Sequence, residues 1–206
     1  SEYEARADAE GEAAAVAWLR ASVEEHVRET VSAFAGRIAQ WDVINEPFDN
    51  HDLMDLLGDE AMGDWLRAAR EADPTCELFV NDYSVLARKT TFSASRRHLH
   101  DRVAEWVATD VPLDGIGFQA HFEADLTAPT ELLEHLDEFA GFGKSLWITE
   151  FDLPPLPAEL AADYTRDLMT VLFSHPSAGG FVMWGLWDGN HYARSAPLYD
   201  SEWNEK

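Results

Sequence analysis

The sequence predicts an α/β fold and, within that class, an incomplete (β/α)8 barrel. Segments with apolar residues at every third or fourth position alternate with short apolar segments along the 206-residue chain, which is typical of helices alternating with strands. The short segments are apolar at nearly every position, which favours a parallel sheet covered by helices. Polar residues follow the ends of these segments, where a barrel assembles its binding site.

The first half of the chain predicts three helices and two strands. Residues 11–36 are rich in alanine, with valine and leucine at three- and four-residue steps, so we expect a helix there. The β-branched run in 38–45 predicts a strand. A helix is expected at 59–72, a strand in "ELFVND" at 77–82, and an amphipathic helix at 92–108.

The second half continues the same alternation. "DGIGFQAH" at 114–121 predicts a third strand, and the proline that opens 129–140 is well placed in the first turn of a helix. "SLWITE" at 145–150 predicts the fourth strand. A helix at 158–173 and the strand "GGFVMWG" at 179–185 complete the pattern. There is neither an internal repeat nor a flexible linker, so residues 1–206 are expected to form one domain.

The polar residues at the predicted strand ends separate a barrel from an open nucleotide-binding sheet. They are 45–46, 81–82, 119–121, Glu150 and the segment from Trp184 onward. A doubly wound dinucleotide-binding sheet would have a glycine-rich turn after its first strand, and the sequence contains no GxGxxG. The pattern therefore favours the barrel.

Charge and composition limit the partners. The chain has 39 acidic and 15 basic residues, a net charge of −24, so nucleic acid and anionic membranes are excluded as partners. No apolar run approaches the roughly 18–20 residues of a membrane span. Cys76 is the single cysteine, and His98 and His100, two positions apart, would point away from each other on a helix. We expect no metal and no cofactor.

The acidic excess also suggests a salt-dependent protein. Aspartate and glutamate abound while only three lysines are present, a composition that resembles proteins from salt-loving organisms. The other interpretation is an ordinary acidic protein. Repulsion among the acidic side chains should destabilise the folded state in dilute buffer. Salt should relieve this repulsion, because about 1 M salt shortens the screening length to roughly 3 Å.

Two glutamates end predicted strands in the same manner. Glu46 lies in "WDVINEP" and Glu150 in "LWITEFD", with two further strands between them. Strands three positions apart face each other across the mouth of a barrel, so both carboxylates are expected to project into one cleft. Glycosidic bond cleavage requires such a pair, one carboxyl as acid and the other as nucleophile or base. The alternative is two structural carboxylates that cap turns or pair with arginines.

At these motifs the chain resembles glycoside hydrolase family 10, the endo-β-1,4-xylanases, from the fourth strand of their barrel onward. "WDVINEP" resembles the strand-four motif, which implies that Glu46 is the acid/base and that Asn45 binds the sugar 2-hydroxyl. "FVNDYSV" resembles the strand-five motif. The resemblance implies a retaining enzyme that hydrolyses internal bonds of xylan or xylo-oligosaccharides by double displacement.

The later motifs imply how the nucleophile is held. "GIGFQAH" resembles strand six, where Gln119 and His121 would hold it, and "WITEFD" resembles strand seven, which makes Glu150 the nucleophile and Asp152 the residue that orients His121. "FVMWGLWDG" resembles strand eight, with Trp184 lining the subsite of the attacked sugar. The other interpretations are that His121 is a core histidine with its hydrogen bonds made, that Asp152 only forms a turn, and that Trp184 packs in the core.

Aromatic residues near the strand ends are expected to stack on sugar rings. They are Tyr83, Trp184, Trp187 and Tyr192. Many family members have a second tryptophan eight residues after the strand-eight tryptophan, whereas this chain has Tyr192, preceded by His191. The shape of the subsites, and with it the preferred sugar, therefore stays open.

The resemblance covers strands four to eight, and strands one to three are not evident. Three units of roughly 30 residues should precede Glu46, but only 45 residues do. A partial gene product, a barrel completed by a second chain such as an N-terminal segment, and a degenerate paralogue all remain open. So do a β-glucanase or mannanase and a non-catalytic carbohydrate-binding fragment. The resemblance implies an extracellular protein, although residues 1–10 lack the apolar segment of a signal peptide.

Overall fold

The computed structural model describes residues 1–86, 92–192 and 196–206. Helices and strands alternate through these residues. The helices are α1 (Glu2–Glu10), α2 (Glu12–Ala33), α3 (Asp52–Leu57), α4 (Glu60–Ala72), α5 (Phe92–Ala108), α6 (Pro129–Ala140) and α7 (Ala158–Ser174). The strands are β1 (Gln40–Asn45), β2 (Glu77–Asp82), β3 (Gly115–Phe118), β4 (Ser145–Phe151) and β5 (Ala178–Met183). None of the described helices combines the length and apolarity that crossing a bilayer requires.

The sheet follows the order of the chain, β1-β2-β3-β4-β5. The pairings of β3 with β4 and of β4 with β5 are parallel, with Gly115 opposite Ser145 and Leu146 opposite Ala178. Beyond the end of β3, an isolated parallel bridge joins His121 to Asp152. Sequential parallel order places the carboxyl ends of neighbouring strands at the same edge.

The chain divides into two compact units. The first contains Ser1–Val80 and Glu105–Asp114, and the second contains Asn81–Ala104 and Gly115–Lys206. In the first unit, α4 buries one apolar face that includes Trp65 and Leu66. This arrangement follows from the three- and four-residue spacing of its apolar side chains.

Arg70, in the last turn of α4, ties three segments of the first unit together. Its guanidinium donates to the backbone carbonyl of Cys76 at 2.6 Å and to that of Pro74 at 3.3 Å, and it pairs with the carboxylate of Asp114. Asp114 also accepts the backbone N–H of Leu78 at 2.8 Å. The end of α4, the start of β2 and the residue before β3 are thus joined by one planar group.

The second unit buries an aromatic and aliphatic core beside β3 and β4. The rings of Phe118 and Phe139 meet edge to face at 5.2 Å, and Ile148 is 1% exposed. The helix α7 turns Leu168 and Leu172 towards the core. β3 is buried at all four of its positions, so its sequence lacks polar alternation, whereas β4 alternates half-buried with buried positions from Ser145 to Ile148.

The predicted elements are all present, with small differences in their ends, and within the described residues the structure adds three short ones: α1, α3 and a 3-10 helix at Asp188–Asn190. α1 buries none of its side chains and is capped by Ser1, so it has no apolar periodicity to detect. The segment after His51, for which no helix or strand was predicted, forms the six-residue α3. The third strand was predicted to reach His121 but ends at Phe118, because the backbone turns at Ala120, where φ is 61°.

Candidate active site

Glu150, near the end of β4, lies at the centre of a polar cluster in the second unit. Its Oε1 accepts from Asn81 Nδ2 at 2.9 Å, and its Oε2 lies 3.2 Å from His121 Nε2. Thr149 donates to Asn81 Oδ1 at 2.6 Å, which fixes the orientation of the amide. The Glu150 side chain is 14% exposed, so these donors replace most of the water around the carboxylate.

Gly117 makes room for Asn81. A Cβ at position 117 would lie 2.5 Å from Asn81 Oδ1 and 2.9 Å from Thr149 Cγ2. Both distances are shorter than contacts that real Cβ atoms make. A glycine in β3 therefore allows the amide to reach Glu150.

His121 lies between two carboxylates. Its Nδ1 is 2.9 Å from Asp152 Oδ1, while its Nε2 faces Glu150. Burial of the imidazole lowers its pKa, but the hydrogen bonds to Asp152 and Glu150 and their charges outweigh burial and raise the pKa to about 9. At neutral pH the ring is therefore cationic and donates from both nitrogens, to Asp152 and to Glu150.

The backbone around His121 is held by the neighbouring strands. The N–H of Glu150 donates to the Gln119 carbonyl at 3.1 Å, and the N–H of Gln119 donates to the Asp82 carbonyl at 3.0 Å. Gln119 is 2% exposed. The left-handed conformation of Ala120 then directs His121 towards Asp152.

Asp152 is a buried acceptor with two donors. One oxygen receives His121, and the other accepts the hydroxyl of Tyr192 at 2.7 Å. Asp152 is 3% exposed. The expected contact between Asp152 and His121 is thus present, and Tyr192, expected as a stacking ring, also binds this carboxylate.

Asn45 and Glu46 lie in the first unit, where β1 ends. Asn45 is exposed and Glu46 is half-buried. Glu46 has φ 55°, a left-handed conformation that is uncommon for a residue other than glycine and that recurs at functional sites. Its carboxylate accepts from Asn50 Nδ2 at 2.7 Å, so this end of β1 is a structured turn.

The aromatic residues expected to stack on sugars have different surroundings. Tyr83, His121, Asp152 and Tyr192 line one cavity of about 550 Å³ in the second unit. The Trp184 ring meets the His121 ring edge on at 6.0 Å. A larger groove of about 880 Å³ lies beside α7 and contains none of the predicted site residues.

Trp187 packs against another aromatic ring. Its indole stacks on that of Trp203 at 5.3 Å and 7°. Among the described residues, Trp203 therefore covers one face of the Trp187 indole. Its role in sugar binding stays a prediction.

The hydrogen bond from Asn81 to Glu150 was not predicted from the sequence. Asn81 was recognised as a polar residue at the end of β2 but received no role. Its partner Glu150 is 69 residues away, so the hydrogen bond depends on strand order. The signal available in the sequence was its position at a strand end, beside the other polar residues.

The chain is similar to known proteins over most of its length. The profile described as Glycosyl hydrolase family 10 matches residues 5–206. Endo-1,4-beta-xylanase 3 of Hypocrea jecorina is 33% identical over 197 residues, covering 91% of this chain and 54% of that protein. Anti-sigma-I factor RsgI6 of Acetivibrio thermocellus is 29% identical over 187 residues, covering 90% of this chain and 24% of that protein.

The chain is also similar to solved xylanase structures. Native xylanase 10B from Thermotoga maritima has a TM-score of 0.78 and 28% identity, with 89% of this chain and 61% of that chain covered. The chain thus spans about half the length of the curated xylanase and about three fifths of the solved one. The likeness and the five sequential strands confirm the predicted α/β fold, with part of a (β/α)8 barrel present.

Proposed function

Because the chain belongs to glycosyl hydrolase family 10, we propose that it provides the carboxylates of a retaining endo-β-1,4-xylanase. Its substrate would be xylan or a xylo-oligosaccharide, cleaved at internal β-1,4-xylosidic bonds. The names of the xylanase relatives support this substrate class. No cofactor takes part in the proposed reaction.

The observation that carries the proposal is the environment of Glu150. A nucleophilic carboxylate must be ionised and correctly oriented when the sugar binds. Asn81 and the cationic His121 each donate to one of its oxygens, and Asp152 in turn orients His121. These donors orient the carboxylate, and among the described residues no Arg or Lys pairs with it.

In the proposed reaction, Glu150 attacks the anomeric carbon and forms a glycosyl ester. Glu46 donates a proton to the leaving oxygen, and the bond to the aglycone breaks. Glu46 then takes a proton from a water molecule, whose oxygen attacks the same carbon and displaces Glu150. The anomeric configuration is retained and both carboxyl groups return to their starting states. Asn45 would bind the 2-hydroxyl, and Gln119 would help to hold the nucleophile.

The remaining expectations form part of the same proposal. Residues 1–206 would act as one catalytic domain, which the family match over 5–206 supports. Tyr83, Trp184, Trp187 and Tyr192 would contact sugar rings. A complementing N-terminal segment is a proposed partner, and an extracellular location is proposed from the family.

The test is hydrolysis of xylan, β-glucan and mannan by the purified chain, alone and extended upstream, at several salt concentrations. We expect reducing sugar from xylan, and preferential cleavage of glucan or mannan would instead indicate another barrel glycosidase. Glu150→Ala should abolish turnover. Glu25→Ala, in an exposed glutamate of α2, is the matched control and should leave turnover unchanged.

The role of Glu46 has a separate test. External azide should partly restore turnover by Glu46→Ala on aryl xylosides with good leaving groups, because these need no acid and azide needs no general base. Failure to hydrolyse any of the three polysaccharides under all conditions would contradict the proposed function.

A second candidate is a non-catalytic carbohydrate-binding protein. It is favoured by the relative that is named an anti-sigma-I factor rather than a hydrolase. In that case Glu46→Ala and Glu150→Ala should leave all measurable behaviour unchanged, and xylan should be bound without cleavage.

A further inference from the structure

The two oxygens of Asp152 receive different donors, and only one of these was expected. Oδ1 faces His121, and Oδ2 accepts the hydroxyl of Tyr192 at 2.7 Å. The same hydroxyl oxygen lies 3.3 Å from His121 Nδ1. Tyr192 therefore contacts both members of the pair that orients Glu150.

Tyr192 is held at this point by its partners more than by burial. The residue is 69% exposed, so packing alone does not fix its ring. The ring meets His121 edge on at 5.8 Å and stacks on His191 at 4.8 Å and 27°. A donor on a largely exposed ring keeps its place only if the hydrogen bond or a stacked neighbour restrains it.

His191 provides that restraint. Its side chain is 2% exposed, and its Nε2 donates to the carbonyl of Trp184 at 2.7 Å, 3.6 Å from Asp152 Oδ2. Gly185 has φ 89°, and a Cβ there would lie 2.4 Å from His191 Cδ2. The glycine after Trp184 thus allows a buried imidazole to lie beneath the Tyr192 ring.

The hydroxyl of Tyr192 keeps its proton at neutral pH and therefore remains a hydrogen-bond donor. Burial of its hydroxyl, the hydrogen bond to Asp152 and the charges of Asp152 and Glu150 raise the pKa of Tyr192 well above its usual range. A charge-assisted hydrogen bond of this kind is among the stronger ones in proteins. It leaves Asp152 with little freedom to rotate away from His121.

We propose that Tyr192 is a positioning residue: its hydroxyl, supported by His191, fixes Asp152 so that His121 stays aligned on Glu150. The inference rests on the proposed function, since it assigns a new role within the same site. The ring of Tyr192 can still contact a sugar, but its hydroxyl serves the nucleophile's support. A purely packing or stacking role would need no hydroxyl.

The test compares Tyr192→Phe with the wild type in two assays. Solvent exchange of the His121 Nδ1 proton, followed by NMR in the unliganded chain, should accelerate at least tenfold because Asp152 is released. On xylan, kcat should fall about tenfold while KM changes less than twofold. Tyr199→Phe, in a tyrosine that packs against Trp203, is the control and should leave both unchanged.

The outcomes separate this inference from the proposed function. An unchanged exchange rate in Tyr192→Phe overturns the positioning role, whether or not the chain hydrolyses xylan. Accelerated exchange in a chain without hydrolytic activity supports the positioning role and contradicts the function. If the variant does not fold, the wild type still decides: the Tyr192 hydroxyl proton should give a slowly exchanging NMR signal with a contact to the His121 ring, and rapid exchange of this proton overturns the proposal.

Discussion

Replacing His121 should change how the stability of the protein depends on pH. The pKa of this histidine is raised to about 9 in the folded chain, whereas its ordinary value is 6.5. The folded state therefore binds the proton more tightly than the unfolded state. The resulting stabilisation is fully present below pH 6.5 and is lost as the pH rises through about 9.

The size of the effect follows from the two values. A pKa that rises from 6.5 to about 9, at about 1.4 kcal/mol for each pKa unit, corresponds to about 3 kcal/mol. The His121 side chain is 22% exposed and its two partners are buried further, so screening by solvent reduces this figure only in part. In His121→Asn this pH-dependent contribution should be missing.

The assay is urea unfolding of the wild type and His121→Asn between pH 5.5 and 10 at constant 2 M NaCl. The difference between their free energies of unfolding should fall by about 3 kcal/mol from the lowest to the highest pH. His26→Asn, in an exposed histidine of α2, measures the effect of losing a surface histidine. Parallel curves for the wild type and His121→Asn would refute the assignment of a cationic His121.

Two further predictions concern the charge and the packing of the chain. Raising NaCl from 0.1 to 2 M should increase Tm by several degrees, because salt screens the repulsion of a net charge of −24, and a flat or falling Tm would contradict the salt-loving interpretation. Gly117→Ala should displace Asn81 from Glu150 and lower kcat on aryl xylosides at least tenfold. Gly141→Ala, where a Cβ would meet its nearest atom at 3.4 Å, is the control and should keep full activity. Equal activity of the two variants would contradict the role of Asn81.

The fold could be predicted because its helices and strands have different apolar periods. The predicted strand at 77–82 and helix at 129–140 match β2 and α6 residue for residue. α1 was missed because a helix that buries no side chain has no apolar stripe. The early end of β3 was missed because a left-handed alanine at position 120 leaves no trace in composition.

The site could be predicted where a motif or a strand end marks it. Glu150 and Asp152 were recognised through their motif, and their contacts with His121 are present. The bonds made by Asn81 and by the Tyr192 hydroxyl were not expected, because each joins residues that are 40 or more positions apart. Such partners depend on strand order and on side-chain rotamers, which local sequence does not determine.

The guanidinium of Arg70 limits how the charge balance of this chain can be redesigned. Engineers who wish to keep the protein folded in dilute buffer would replace acids by neutral or basic residues, because that lowers the net negative charge. At Asp114 that exchange fails, because its carboxylate pairs with the Arg70 guanidinium and accepts the backbone N–H of Leu78. Asp163 and Asp167, whose side chains are 62% and 45% exposed and pair with Arg166 on their own helix, are suitable places for such edits.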